Sequence, residues 1–274
     1  MSLTPPMTPW NPAPLAGRVV LVTGGAQGLG RGIAQAVLGA GGSVMVGDLD
    51  AQAGAECLQD WDVGERAAFR KLDVAREASV AAFVAAARRK FGHLDGLVNN
   101  AGIAEPHAGP VESLPWKEWN RRLSSLHGAF LCSKHALPHL GAAHGGSGNG
   151  SASGAIVNIA STRALQSEPD SEAYAAAKGG LLALTHALAV SAGPRVRVNA
   201  ICPGWVPVEA WRRRASRQRA TLSAADHAQH PAGRAGTPED IGALAVFLLS
   251  PEAGFITGES FVADGGMTRK MQYR

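Results

Sequence analysis

Tyr174 and Lys178 stand four residues apart in a stretch of helical composition, which places both on one face of a helix. Ser161 closes an apolar run thirteen residues before Tyr174. A free tyrosine ionises at about 10, too high for an efficient base at neutral pH. A neighbouring ammonium favours the phenolate and lowers that value. A serine hydroxyl can donate a hydrogen bond to a carbonyl or alkoxide oxygen on which charge develops. The three side chains together suit proton transfer at the oxygen of an alcohol or ketone. A tyrosine-lysine pair at this spacing is also common on plain helix surfaces. Here the chain has only two tyrosines, the other being Tyr273, and the pair follows a complete set of dinucleotide-binding signals.

Those signals begin at Thr23-Gly24-Gly25-Ala26-Gln27-Gly28-Leu29-Gly30, which follows an apolar run and opens a helix. Glycine allows the backbone to turn sharply and approach a pyrophosphate closely. The helix start offers unpaired N–H groups and partial positive charge to that anion. The spacing is Gly24-x3-Gly28-x-Gly30 rather than G-x-G-x-x-G, and glycines at such a turn also serve geometry alone. Asp48 ends the next apolar run, eighteen residues past Gly30. A carboxylate there accepts hydrogen bonds from the adenosine ribose hydroxyls and repels a 2′-phosphate, which favours NAD as cofactor. Neither Gln27 nor Leu49, the residue after Asp48, supplies a base toward such a phosphate. The alternative for Asp48 is a cap on the segment that follows. Asp73 and Val74 close the third strand and are placed to embrace the adenine, with a cap again the alternative for Asp73.

Strand and helix signals alternate along the chain to position these groups. The strands are Arg18–Thr23, Ser43–Val46, Ala67–Leu72, Leu94–Asn99, Ala155–Ala160, Arg195–Ile201 and Ser260–Ala263. Helical stretches are Arg31–Ala40, Ala75–Phe91, the helix-rich Leu114–Leu140, Glu172–Ser191 and Pro238–Leu249. Short continuous apolar strands separated by helices predict a parallel sheet covered on both faces. The fold class is therefore α/β, a single doubly wound Rossmann-like domain over residues 16–274, with ligands beyond the carboxyl ends of the strands. Five prolines between Pro5 and Pro14 mark residues 1–15 as a disordered or surface-lying tail. Gly145–Gly154 is read as a flexible insertion, and residues 207–231, polar and bounded by prolines, as a mobile substrate lid.

Composition narrows the function classes. With 46% hydrophobic and 18% charged residues the chain can fill an ordinary globular core. No run of 18 uninterrupted apolar residues and no signal-peptide pattern occurs, so no membrane span is expected and a cytoplasmic location is the default. Cys57, Cys132 and Cys202 are far apart and read as buried thiols. The net charge of +4 concentrates in Arg212, Arg213, Arg214, Arg217 and Arg219, without the aromatic platforms of a nucleic-acid binder. That cluster is a solvated helix face or a funnel for an anionic substrate. His135 and His139 stand four apart without a third ligand, so no metal is expected. No Gly-x-Ser-x-Gly elbow of a serine hydrolase is present.

Taken in order, the motifs resemble the short-chain dehydrogenase/reductase family from about Ala16 to Gly266. They are Thr23–Gly30, Asp73-Val74, Asn99-Asn100-Ala101-Gly102, Ser161, Tyr174 with Lys178, and Asn199 with Pro203-Gly204. The resemblance implies that Tyr174 is the general acid/base and that Ser161 orients the substrate. Lys178 would lower the tyrosine pKa and bind the nicotinamide ribose. Asn100, Ala101 and Gly102 would line the cofactor, Pro203 and Gly204 would flank the nicotinamide, and the backbone of Val206 would contact it. A homotetramer is also implied, and a small-residue face on the Tyr174 helix with an edge strand at Ser260–Ala263 agrees with it.

Two positions depart from the family pattern. Ser125 stands where an Asn often holds a proton-relay water in a distorted helical turn, and Val208 replaces a threonine that often contacts the carboxamide. The expected activity is hydride transfer between NAD(H) and a secondary alcohol or ketone, the substrate being a small molecule such as a sugar or polyol. Arg163, Gln166, Glu168, Trp205 and Trp211 make the candidate pocket polar. The alternatives are a 3-oxoacyl-thioester reductase and an NAD-binding sensor without turnover.

Overall fold

A computed structural model describes residues 11–141 and 154–271, and in it the apolar runs become seven parallel strands. They are β1 (Val19–Thr23), β2 (Ser43–Asp48), β3 (Ala67–Lys71), β4 (Gly96–Asn99), β5 (Gly154–Ile159), β6 (Val196–Pro203) and β7 (Ser260–Ala263). Their order across the sheet is β3-β2-β1-β4-β5-β6-β7. The winding reverses between β1 and β4, so the loops leaving these two strands diverge and open a crevice at their carboxyl ends. The eight helices described are α1 (Gly28–Gly39), α2 (Ala51–Trp61), α3 (Glu77–Phe91), α4 (Trp116–Arg122), α5 (Ser124–Ala136), α6 (Glu172–Ala192), α7 (Ala224–Ala228) and α8 (Pro238–Leu249).

Side chains alternate along a strand, so even an all-apolar strand feeds two separate cores. Val20 and Val22 pack with Ile33 of α1 and Ile241 of α8, while Val19 and Leu21 pack with Phe83 of α3 and Ala136 of α5. The α1–α8 packing depends on missing side chains. A Cβ on Gly32 would lie 2.4 Å from Pro238 Cβ, and one on Gly242 would lie 2.8 Å from Ala36 Cβ. Thr237 and Asp240 form a capping box, and Pro238 sits in the first turn, which fixes where α8 begins.

Several boundaries differ from the sequence expectation. Helix α2 was not among the expected helices; its inner face is small, Ala53, Gly54 and Cys57, with Gly54 admitting the Phe69 ring. The stretch Leu114–Leu140 is two helices, broken at Leu123. The N-terminal tail expected over residues 1–15 ends earlier. Leu15 is fully buried and its amide donates to Ala40 O at 3.0 Å, while residues 1–10 lie outside the described residues. Most of the insertion expected at Gly145–Gly154, and Tyr273, also lie outside them; Gly154 itself is the buried first residue of β5. The three cysteines are free and buried. By length and composition α6 could cross a membrane; here its inner face lies on the sheet, with Ala173, Ala177 and Leu181 buried.

Gly32→Ala is expected to destabilise the protein by about 1–3 kcal/mol through overpacking against Pro238. The control is Gly39→Ala, on open surface of the same helix. Urea unfolding should show a lowered midpoint for the first and none for the second.

Candidate active site

Ser161 follows β5 in extended conformation and starts a short 3₁₀ turn, Thr162–Ala164, its Oγ accepting the Arg163 amide at 3.2 Å. Tyr174, in the first turn of α6, has the Ser161 hydroxyl for a neighbour, so the strand end and the helix meet there. Burial raises the phenol above its ordinary value, offset in part by the Ser161 hydroxyl and the Arg163 charge. Lys178, one turn further along, is buried, and desolvation pulls its ammonium down to about 8. Its Nζ donates to Ile159 O at 2.9 Å and stands 5.6 Å from the centre of the Tyr174 ring. Arg163 is a second cation near the phenol, beside Lys178, to which the spacing pointed.

The glycine turn is held from the other side of the crevice. Thr23 Oγ1 accepts the amides of Asn100 (3.0 Å) and Ala101 (3.1 Å), and Asn100 Nδ2 donates to Thr23 O (3.0 Å) and Gly24 O (2.9 Å). Gly24 and Gly28 have positive φ, and a Cβ on Gly24 would lie 2.9 Å from Ala101 Cα. A Cβ on Gly30 would lie 2.1 Å from Gly24 O. Helix α1 starts after Gln27 with no side-chain cap and no acidic residue in its first turn, which leaves its N–H groups to an anion. Leu29 turns inward onto the core.

Asp48 is no helix cap. Asp50 caps α2 by accepting the Ala53 amide at 3.0 Å. The Asp48 carboxylate instead accepts the amides of Ala26 and Asp50, both at 3.1 Å, and burial raises its pKa. Leu49 beside it is exposed. Asp73 caps its own turn through the Ala75 amide at 3.0 Å, and Val74 is seated on Gly128 of α5. Gly204 leaves β6 against Asp264, and Val206 packs on the core. A crevice with bare N–H groups, close backbone approach and a carboxylate at the far end fits a dinucleotide.

A family model described as enoyl-(acyl carrier protein) reductase matches residues 24–268. An uncharacterized oxidoreductase of Thermotoga maritima is 44% identical over 94% of this chain and 99% of its own. The cis-4-hydroxycyclohexanecarboxylate dehydrogenase of Sinomonas cyclohexanicum is 39% identical over 92% of this chain and 97% of its own. The structure of an apo SCOR enzyme from Clostridium thermocellum, 40% identical, superposes with a TM-score of 0.79 over 94% of this chain and 95% of its own. The chain belongs to the short-chain dehydrogenase/reductase family. It is accordingly an oxidoreductase of dehydrogenase/reductase type.

The family's variable features are built here in particular ways. Ser125 is buried beside Gly102, whose Cβ would lie 2.6 Å from Ser125 Cβ. The helix is distorted at this place: Leu123 O accepts both the Leu126 amide (3.0 Å) and the His127 amide (3.1 Å). Sequence reasoning missed a polar network under the site. Asn99 Nδ2 donates to Asn158 Oδ1 (2.9 Å) and Ser133 Oγ (3.2 Å), and Asn158 Nδ2 donates to Thr185 Oγ1 (2.9 Å). The signal was present as the one polar residue inside the apolar run Ala155–Ala160. Asn199 serves the fold, holding Ile256 O and the Glu259 amide. Among the described residues no three His, Cys, Asp or Glu side chains cluster as metal ligands, and His135 faces Glu77 at 3.0 Å.

The stretch expected as a lid runs through two single 3₁₀ turns, Glu209–Trp211 and Arg214–Ser216, before α7. Val208 lies over the glycine turn, within 3.7 Å of where a Gly28 Cβ would be. Of the arginines beyond it, which stand on a segment without a regular helix, Arg213, Arg214 and Arg217 are tied to α2 and to the turn before it. The Arg213 amide donates to Gln27 Oε1 (3.0 Å) and the Arg214 amide to Glu56 Oε2 (2.7 Å). Asp60 of α2 pairs with the Arg214 guanidinium, with Arg31 at 2.5 Å and with Arg217 at 3.5 Å. These partners lower the Asp60 pKa to about 2.

Because the folded value lies below the unfolded one, the Asp60 cluster stabilises at neutral pH and is lost only as pH falls through about 2. Asp60→Asn is expected to loosen the strap and weaken dinucleotide binding several-fold at pH 7. Fluorescence titration with NADH reads this against Asp62→Asn, a neighbouring exposed position, which should bind as the unaltered protein does.

Proposed function

We propose that this chain is an NAD-dependent dehydrogenase that interconverts neutral secondary alcohols, ring alcohols and polyols foremost, with their ketones. The observation that carries the reading is Tyr174 and Ser161 brought together at the end of β5, beside a crevice that ends at the Asp48 carboxylate. A bound nicotinamide would supply the hydride acceptor for oxidation and the donor for reduction. The glycine turn, Asp48, Val74, Asn100, Ala101, Gly102, Pro203, Gly204 and Val206 would hold it.

In oxidation, Tyr174 as phenolate takes the substrate hydroxyl proton, and in reduction the phenol returns a proton to the carbonyl oxygen. Ser161 holds that oxygen in place and stabilises charge on it. Lys178, at about 8, is still largely an ammonium at pH 7 and can hydrogen-bond a ribose hydroxyl in place of Ile159 O. Ser125, buried next to Gly102, is the candidate to hold a water between this group and solvent. The ring-alcohol preference draws on the Sinomonas dehydrogenase, named for a hydroxycyclohexane. The apolar outer face of α6 suits a homotetramer, and the three buried thiols suit a reducing compartment such as the cytoplasm.

Tyr174→Phe should lower kcat/KM by about 10²–10⁴-fold while NADH still binds. Stopped-flow turnover beside fluorescence binding makes the separation, and a variant with a tenth of the original rate overturns the acid/base role. For the unaltered enzyme, burial of the phenol predicts oxidation that climbs with pH and reduction that declines on the alkaline side.

Cofactor choice is expected to rest on Asp48. NAD should be preferred over NADP by at least about a hundredfold in kcat/KM, since a carboxylate against a phosphate dianion costs several kcal/mol. Asp48→Ala with Leu49→Arg should move the preference toward NADP. An unchanged ratio for the double variant would reduce Asp48 to a structural role.

A further inference from the structure

At the carboxyl end of β2 a set of contacts closes into a ring. The Asp48 carboxylate accepts the Ala26 amide from the glycine turn and the Asp50 amide from the start of α2, both at 3.1 Å. Asp50 caps α2 with one oxygen and turns the other, Oδ2, outward to two partners. One is Gln27, next to Ala26, whose Nε2 stands 3.5 Å away and whose Oε1 accepts the Arg213 amide at 3.0 Å. The other is the Arg213 guanidinium itself, with Nη1 4.0 Å from Asp50 Oδ2 and 3.5 Å from Gln52 Oε1. An arginine 186 positions beyond Gln27 in the chain is in this way brought to the edge where Asp48 ends the crevice.

Arg213 is held differently from the cations around it. Arg31, Arg214 and Arg217 all pair with Asp60. Arg213 is anchored by its main-chain amide, while its side chain is 42% exposed and meets a carboxylate only at 4.0 Å. So long and exposed an ion pair holds a side chain weakly. The guanidinium can therefore turn to a stronger anion while the strap keeps its anchor on Gln27. Two carboxylates, Asp48 and Asp50, stand at this edge, and the exposed Lys71 is the neighbour of Asp48 on β3. Neither Gln27 nor Leu49 carries a charge, and the base that both lack comes from the strap.

We propose that Arg213 is the residue through which this enzyme reads a phosphate on the adenosine ribose. Asp48 repels a 2′-phosphate and Arg213 attracts it. The preference for NAD is then the difference between the two, and binding of NADP runs through the strap. A guanidinium presents a planar fork of N–H donors that matches phosphate oxygens two at a time. A 2′-hydroxyl offers no such charge and leaves Arg213 with Asp50 and Gln52. The inference rests on the crevice at Asp48 holding the adenosine end of a dinucleotide.

The test reads binding rather than turnover. NADH and NADPH are titrated by fluorescence, and 5′-AMP and adenosine 2′,5′-bisphosphate by calorimetry. The proteins are the unaltered chain, Arg213→Gln, Arg213→Lys, Asp48→Asn, Asp48→Asn with Arg213→Gln, and Lys71→Gln as an equal change of charge on the neighbouring strand. Arg213→Gln is expected to weaken NADPH and the bisphosphate about tenfold, as for one charged hydrogen bond, and NADH and 5′-AMP by less than about threefold. Salt should weaken the bisphosphate less in Arg213→Gln than in the unaltered protein, and Arg213→Lys, which keeps the charge, should lose less affinity. Asp48→Asn removes the repulsion and so exposes the attraction: NADPH should tighten, and adding Arg213→Gln should weaken it again about tenfold. Equal losses of NADH and NADPH in Arg213→Gln, no loss of either in both backgrounds, or a loss matched by Lys71→Gln overturns the inference. In those cases NADH still binds the unaltered protein, and the dinucleotide reading stands. Failure of the unaltered protein to bind NADH and 5′-AMP overturns both.

Discussion

Where the sheet changes direction between β1 and β4, Thr23 and Asn100 clasp the two diverging loops, and the rest of the site is built outward from that clasp. Thr23 Oγ1 accepts two amides from the β4 loop, and Asn100 returns two hydrogen bonds to the carbonyls of Thr23 and Gly24. Single hydrogen bonds contribute only about 0.5–1.5 kcal/mol net, but a polar group left unpaired at such a place costs more. The clasp therefore fixes geometry as much as it stabilises. It leaves room at Gly30 for nothing larger than hydrogen, since a Cβ would lie 2.4 Å from Asn100 Nδ2. Helix α1 must then start where it does, with its bare N–H groups turned to the crevice. On the other side the same loop runs on to Gly102, against Ser125 of the distorted α4–α5 turn.

Burial is the second organising force, and it acts on both Tyr174 and Lys178. It raises the Tyr174 phenol and lowers the Lys178 ammonium, so the closed interior favours the neutral form of each. Charge enters from the open side, through Arg163, whose own field is moderated by Glu168. The strap over the glycine turn uses the opposite arrangement. Its arginines meet the acidic face of α2, and the pairing holds the segment after β6 above the far end of the crevice.

Much of this was legible in the chain itself. Short apolar strands alternating with helices determined a parallel, doubly covered sheet, because a strand buried on both faces tolerates little polarity. The glycine turn, the i,i+4 spacing of Tyr174 and Lys178, and Ser161 at a strand end were the residues on which the family resemblance rested before any geometry was known. They were readable because each depends on local conformation: a turn that excludes Cβ atoms, one face of one helix, one end of one strand. Asp48 was readable for the same reason, since the end of β2 has only one place to be.

What the tertiary structure alone decided were the interactions between elements far apart in the chain. Helix α2 was not among the expected helices, and its buried face is made of small residues that fit Phe69. Leu15 reads as tail until the Ala40 carbonyl receives its amide. The pairing of Arg214 and Arg217 was hidden, for nothing in a linear sequence says that Asp60 lies opposite them. The hydrogen bond of Lys178 to the Ile159 carbonyl and the Arg163 charge near the phenol were likewise not legible in the chain. Charge and hydrogen-bond partners are assigned by distance in space, and across the sheet that distance is set by packing rather than by position in the chain.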